Sequence, residues 1–544
     1  MSEIRDILSS KTCFTLFVSI WLTAAYAQDE QTDGYDYLNE LRTRAGMITL
    51  SRNGMLEIAA GNHSQYLVGN STAFLRYSGH FENPGDAYFT GNQASDRTAA
   101  AGYLSTLVSE NVSNGQPDVF ASIDDLMSAI YHRFGFLGFS IDEVGLGFVK
   151  DSGIDYSAYT YNMGNSGLNN LCMGSSFNEV GSFFQGICAQ DSSFRISTEG
   201  KSAAEELFQG QNPYIVTWPS QGDSDVPPAF FEESPDPLPD YSVSGYPISL
   251  QFNPLVYNDV SITSFRLFED STNLEITNTR LLDNGTDPNM KFSALEYALF
   301  PLERLDWNSV YRVEVDYDSN MESDTLIWKF ATRHPGAPLF EYAGHGTTVE
   351  IPANAASNFA FYVSPEESYP TIGGIGFSYS AGLNIDVDYI DGNTLSVSMV
   401  GAVGQRADFN ISGRSFSLLI GNEADLPDDP EIDLSIGGSG IEDETAAHFD
   451  ETNGILTLPL LVVDDALRAG VTLQLLDAGA LTFKVDEILP ADETSADEAV
   501  FTSSTLTMSI PRVKALGMAF SIEMKMVDTA NLVLQITAAA EVAQ

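Results

Sequence analysis

The hydrophobic and polar positions of this chain change rhythm part-way along it. Leu56, Ala59, Ala60, His63, Tyr66 and Leu67 recur at i, i+3, i+4 and i+7, which predicts one face of an amphipathic helix. The stretch from Tyr37 to Arg42 predicts an opening helix that closes near Gly46, and the stretch from Asp124 to His132 predicts a later one. Val144-Gly145-Leu146-Gly147-Phe148 reads as a strand whose small residues allow close packing. Tyr159, Tyr161 and Met163 alternate with period two, as a second strand would. Residues 192–211 are polar and read as a connection.

Beyond residue 212 the alternation is of the β type. Tyr214 to Trp218 and Tyr246 to Phe252 read as strands, separated by the stiff Pro235-Asp236-Pro237-Leu238-Pro239. Phe359 to Val363 and Thr394 to Val400 continue the pattern through residues 336–430. Asp386, Asp388 and Asp391 suggest calcium, but the EF-hand spacing and its terminal glutamate are missing, so a hairpin turn at Asp391-Gly392-Asn393 is the better reading. After the acidic Asp428-Asp429-Pro430, residues 431–544 contain an internal repeat. Phe449 to Pro459 matches Phe501 to Pro511 in spacing, and Asp477, Leu481, Phe483 and Val485 match Asp528, Leu532, Leu534 and Ile536. Two similar β units follow from it.

The amino terminus adds a compartment. Arg5 and Lys11 precede an apolar run from Cys13 to Leu22, which ends in Ala25-Tyr26-Ala27 and then turns acidic. This is the pattern of a signal peptide over residues 1–27, and the run is shorter than the ~20 residues of a spanning helix. No later segment is long and apolar enough to span a bilayer. Secretion, extracellular or periplasmic, is therefore expected. Cys172 and Cys188 then form an even pair in an oxidising compartment, and a disulfide between them is expected.

Charge excludes one class of partner. With 75 acidic and 25 basic residues, the chain carries a formal charge of -50, which repels nucleic acid and anionic membranes. At 544 residues it is too long for one core and calls for several domains. The partners left open are a small ligand, a lipid or a cell-surface component.

The helical part carries an ordered series of short elements. They are Asn39 with Arg42, then Ala60 to Ser64, Gly79-His80, Ser109-Glu110-Asn111, His132-Arg133, and Gly145 with Gly147. Over residues 33–200 this series resembles the CAP superfamily of cysteine-rich secretory, antigen-5 and pathogenesis-related proteins, in its bacterial form. The resemblance implies a three-layer α-β-α sandwich with a central cleft; with the β alternation that follows it, the expected fold class is multidomain, α+β at the amino terminus and all-β sandwich modules after it. Residues 212–335 resemble a bacterial Ig-like module, on Leu299-Phe300-Pro301-Leu302, Tyr311 to Val315 and Trp328 to Thr332. Residues 336–430 and 431–544 are expected as two further β-rich modules.

The same resemblance implies a site. A full family site has two histidines and two glutamates, and its histidines can hold a divalent metal such as zinc. His80 matches the first histidine and Glu110 the glutamate of the G-E-N element. The second glutamate should fall near Ala129 and is absent, and the last histidine has no counterpart across Val144 to Phe148. His132 is the histidine of the H-R element. His80, Glu110 and His132 are thus the candidate binding residues, and the candidate ligands for zinc or another divalent cation if they converge. His63, on the apolar helix face, reads instead as a core histidine. No G-x-S-x-G elbow and no cysteine paired with a histidine marks a nucleophile. The expected function is a non-enzymatic extracellular binding module, taking lipid, peptide or metal, on β-sandwich spacers. A metal-dependent extracellular hydrolase and a structural adhesin with a vestigial site are the alternatives.

Overall fold

The computed structural model describes residues 30–321, 323–366, 369–426, 432–435, 447–450, 454–464, 467–477, 480–489, 491, 498–515, 518–529 and 531–541. The expected signal segment at 1–27 and the acidic link at 428–430 lie outside them. The chain divides into two compact units, residues 1–435 and 436–544.

The first unit opens with a helix over 30–44, ended by Gly46 in the left-handed region at φ +73°. The next helix, Gly54–Asn70, starts at Asn53, whose side chain accepts from the amides of Met55 and Leu56. Four strands form the adjoining sheet in the order Ser51–Arg52, Glu143–Asp151, Tyr156–Gly164, Ser109–Asn114. All residues of Tyr156–Gly164 are buried, because helices cover both faces. On one face the helix Gly54–Asn70 lies directly on Gly145 and Gly147. On the other, Leu38, Leu41, Val119, Ile123 and Leu126 pack against Leu146, Tyr159 and Tyr161. These are the three α-β-α layers.

Two expectations change. The helix expected over Asp124 to His132 is two helices, Val119–Ser128 and Ile130–Phe136, with Ala129 extended between them at φ −79°, ψ 113°. The break lets the buried Arg133 donate to the Met127 carbonyl and, across a module boundary, to the Pro247 carbonyl at 2.7 Å. Residues 192–211 are not a loose connection either. They hold the strand Arg195–Ser197 and the helix Thr198–Gln209, whose Ala204 carbonyl accepts from Asn165.

Cys172 and Cys188 are disulfide-bonded across a separation of 16 residues. Cys172 sits in a small core with Ile187 and Ile196. Cys172→Ser with Cys188→Ser should lower stability by about 3 kcal/mol, from the freed loop entropy of the unfolded chain. Thermal unfolding of the first unit, with and without reductant, reads this directly.

Residues 212–335 form two four-stranded sheets. One orders Thr279–Leu282, Glu296–Pro301, Ile248–Phe252 and Ile215–Trp218; the other Leu274–Glu275, Val260–Glu269, Val310–Ser319 and Ser323–Ala331. This sandwich is no separate bead. Its Leu250, Val313 and Trp328 belong to the same buried cluster as Leu41 and Met127 of the first module. Tyr246 donates to the Met127 carbonyl, and Arg44 pairs with Asp223. A second pair of four-stranded sheets follows within residues 339–420. There the Asp391-Gly392-Asn393 turn joins two antiparallel strands, and Asp391 accepts from Arg304 at 2.7 Å.

The second unit is one eight-stranded sheet whose two ends pair back on each other, through His448–Asp450 with Thr507–Ala515 and Ile455–Val463 with Ala499–Thr502. The repeat has a geometric basis. Pro459 and Pro511 each lie where the ladder register shifts, as residues without an N–H must. Leu481 and Leu532 each turn a hairpin at positive φ, +48° and +53°. Among the described residues no helix is long and apolar enough to cross a membrane.

Candidate functional site

Three elements of the first module bring charged side chains together. Glu110 stands on the strand Ser109–Asn114, paired with Tyr156–Gly164 at the register Glu110 with Asn162. Arg97 comes from the helix Ala94–Ala100, and His63 from the inward face of Gly54–Asn70. His80 lies on the loop between these two helices, after Gly79 in the left-handed region at φ +88°.

Around Glu110 the contacts are dense. Arg97 donates from one terminal nitrogen to both Glu110 oxygens at 2.7 Å. His80 Nδ1 lies 3.1 Å from Glu110 Oε1. With its amide turned so that nitrogen faces the carboxylate, Asn162 donates to Glu110 Oε2 at 3.1 Å. Behind them His63 is fully buried, with Nδ1 3.0 Å from Glu82 Oε1 and Nε2 2.9 Å from the Gly79 carbonyl. It is the core histidine that its place on the helix suggested. Glu82 also accepts from the amides of Thr90 and Gly91.

Burial alone pushes the Glu110 carboxyl up. The His80 hydrogen bond and the charges of Arg97 and His63 outweigh it and hold the group below the usual carboxylate range. Glu82 is likewise held low, its burial offset by the His63 hydrogen bond, the Thr90 amide and Arg97.

His132 stands beside this cluster, its ring 6.4 Å from that of His80 and inclined by 24°. It does not touch Glu110. Its Nδ1 lies 2.9 Å from Glu233 Oε1, and its carbonyl accepts from Asn111 at 2.8 Å. Glu233 is almost fully buried, and that burial lifts its carboxyl above the usual range despite His132 and the Tyr131 and Ile130 amides.

The structure therefore brings His80 directly onto Glu110 and sets His132 next to His80, while His132 takes a different carboxylate. Among the described residues no three His, Cys, Asp or Glu side chains converge as a ready metal cage. Glu110 is engaged by a guanidinium on both oxygens, which disfavours it as a direct cation ligand. Nδ1 of each imidazole faces a buried carboxylate, which leaves Nε2 as the atom that could meet a ligand, on a partly exposed ring for His80 and a mostly buried one for His132. Such backing fixes the tautomer and orientation of a metal-binding imidazole, so the donor chemistry fits a cation such as zinc with two protein ligands, fewer than the three usual in open zinc sites. Sequence reading missed Glu82, Arg97 and Glu233. Only Glu82 carries a faint signal, its closeness to Gly79-His80; Glu233 lies 101 residues from its partner.

Residues 35–163 match the model of CAP, the cysteine-rich secretory protein family. No curated protein matches the chain. Among solved structures, an extracellular protein containing an SCP domain from Bacillus anthracis is 22% identical, with a TM-score of 0.22 over 25% of this chain and 40% of that one. An outer surface protein of Borrelia burgdorferi is 16% identical, with a TM-score of 0.22 over 25% of this chain and 93% of that one. A cysteine-rich secretory protein of Staphylococcus aureus is 18% identical, with a TM-score of 0.20 over 25% of this chain and 39% of that one. The chain thus spans well under half the length of the Bacillus and Staphylococcus proteins.

Proposed function

We propose that the CAP domain formed by residues 35–163 is the binding part of an exported, non-catalytic protein, and that its ligand meets the Nε2 edges of His80 and His132. The observation that carries this reading is the histidine pair, ring beside ring at 6.4 Å, each imidazole held from behind by a buried carboxylate. Export is supported by the apolar amino-terminal stretch ahead of Ala25-Tyr26-Ala27 and by the bonded Cys172 and Cys188. Binding rather than metal-assisted hydrolysis is supported by the ligand count: His80 and His132 supply two protein ligands where open zinc sites use three, and the glutamate expected near Ala129 and the histidine expected across Val144 to Phe148 are missing from the sequence.

A borderline divalent cation suits neutral imidazole donors of this kind. His80 and His132 would hold it, and the cation would supply an open coordination position for a polar ligand. Zinc titration calorimetry on the full chain tests this. Binding is expected in the wild type and at least tenfold weaker in His80→Ala and in His132→Ala. Absence of zinc binding in the wild type would sink the cation reading.

A further inference from the structure

We infer that Glu233, from the segment that follows the CAP domain, is a positioning residue of the CAP site, so that the site is assembled by two modules and not by one. This rests on the reading of His80 and His132 as the ligand contacts.

The two imidazoles are supported differently. Glu110, behind His80, stands on a strand of the CAP sheet itself. Among the described residues no CAP-domain carboxylate is hydrogen-bonded to His132: Asp125 of the preceding helix acts on it only through its charge, Ala129 ends that helix, and the carboxylate that bonds the ring is Glu233 of the next module. Its carboxylate reaches both the His132 ring and the Tyr131 amide, the latter at 3.3 Å from each oxygen. The segment carrying it is anchored on both sides. Ala229–Phe230 pairs with Ser244–Gly245, and Phe230 and Leu238 are buried in one cluster with Ile130 and Phe134 of the His132 helix. Asn289 ties the arrangement together, donating to the Tyr131 hydroxyl at 3.0 Å and to the Asp236 carbonyl at 2.7 Å. In so apolar a setting the carboxylate–imidazole hydrogen bond is strengthened, and leaving Glu233 without it would be costly. The consequence for His132 is a fixed ring with Nδ1 committed as donor, which leaves Nε2 as the lone-pair edge.

Glu233→Gln keeps the shape and removes the charge, and the exposed Glu232→Gln serves as the control. On the full chain, zinc affinity should fall about 10- to 100-fold in Glu233→Gln, as for other outer partners of metal-binding histidines, and stay unchanged in Glu232→Gln. Side-chain 15N NMR of His132 gives a second, metal-free readout: an Nδ1-protonated ring in the wild type, and tautomer averaging in Glu233→Ala. Wild-type zinc affinity in Glu233→Gln would overturn the inference and leave the binding reading standing. If the wild type binds no zinc, the binding reading falls, and the NMR decides alone: the same fixed tautomer in Glu233→Ala overturns the inference, while averaging upholds the positioning role. Thermal unfolding of each variant separates these effects from loss of fold.

Discussion

Gly147→Val should abolish folding of the CAP domain, and Gly147→Ala alone should cost about 3 kcal/mol or more, at the upper end of overpacking effects. A Cβ at Gly147 would stand 2.0 Å from the Gly61 backbone nitrogen, and one at Gly145 would stand 2.1 Å from that of Glu57. Both obstacles are main chain of the helix Gly54–Asn70, so no side chain can rotate away. Relief requires lifting the helix off the strand Glu143–Asp151. That would open the contact made by Leu56 and Ala60 and pull His63 away from Glu82 and Gly79. Urea unfolding followed by circular dichroism reads the loss. A Gly147→Ala protein as stable as the wild type would show that the helix does not sit on the sheet as described.

Arg97→Met should destabilise the same domain by about 3–5 kcal/mol near neutral pH, because it leaves the buried Glu110 without its guanidinium. The pH dependence distinguishes this from simple loss of packing. Glu110 and Glu82 both titrate below their ordinary range in the fold. Their contribution is therefore complete above the unfolded carboxyl value of about 4.3 and is lost as pH falls through the lower folded values. Removing Arg97 removes much of that contribution. The gap between wild type and Arg97→Met should be widest near pH 7 and should narrow below about pH 4. Denaturant midpoints for both proteins at pH 7 and in acid measure it. A gap independent of pH would mean that Arg97 acts through packing and not through its charge.

Much of the first module was legible because it is written locally. The buried stripe of Gly54–Asn70, the glycines of the strand beneath it and the alternating Tyr159, Tyr161 and Met163 each follow from periodicity. His80 and Glu110 were legible as candidates through their order along the chain. The stretches 246–252, 311–315 and 328–332, read as strands, likewise fall on strands. The break at Ala129 was not legible, since alanine favours helix. The break coincides with a long-range contact, since Arg133 reaches the Met127 carbonyl and the Pro247 carbonyl 114 residues away. The helix Thr198–Gln209 was missed because its polar sequence buries little of itself, only Ala204 fully.

The sequence by itself determined the kinds of element, the glycine contact between helix and sheet, the cysteine pair and the proline-marked repeat, because each depends on a few neighbouring residues and on backbone geometry. The partners of the charged groups were decided only by the tertiary structure. Glu110 has no local reason to take Arg97, nor His132 to take Glu233 from 101 residues away. An ion pair becomes specific only when folding removes both groups from water and leaves each few partners within reach.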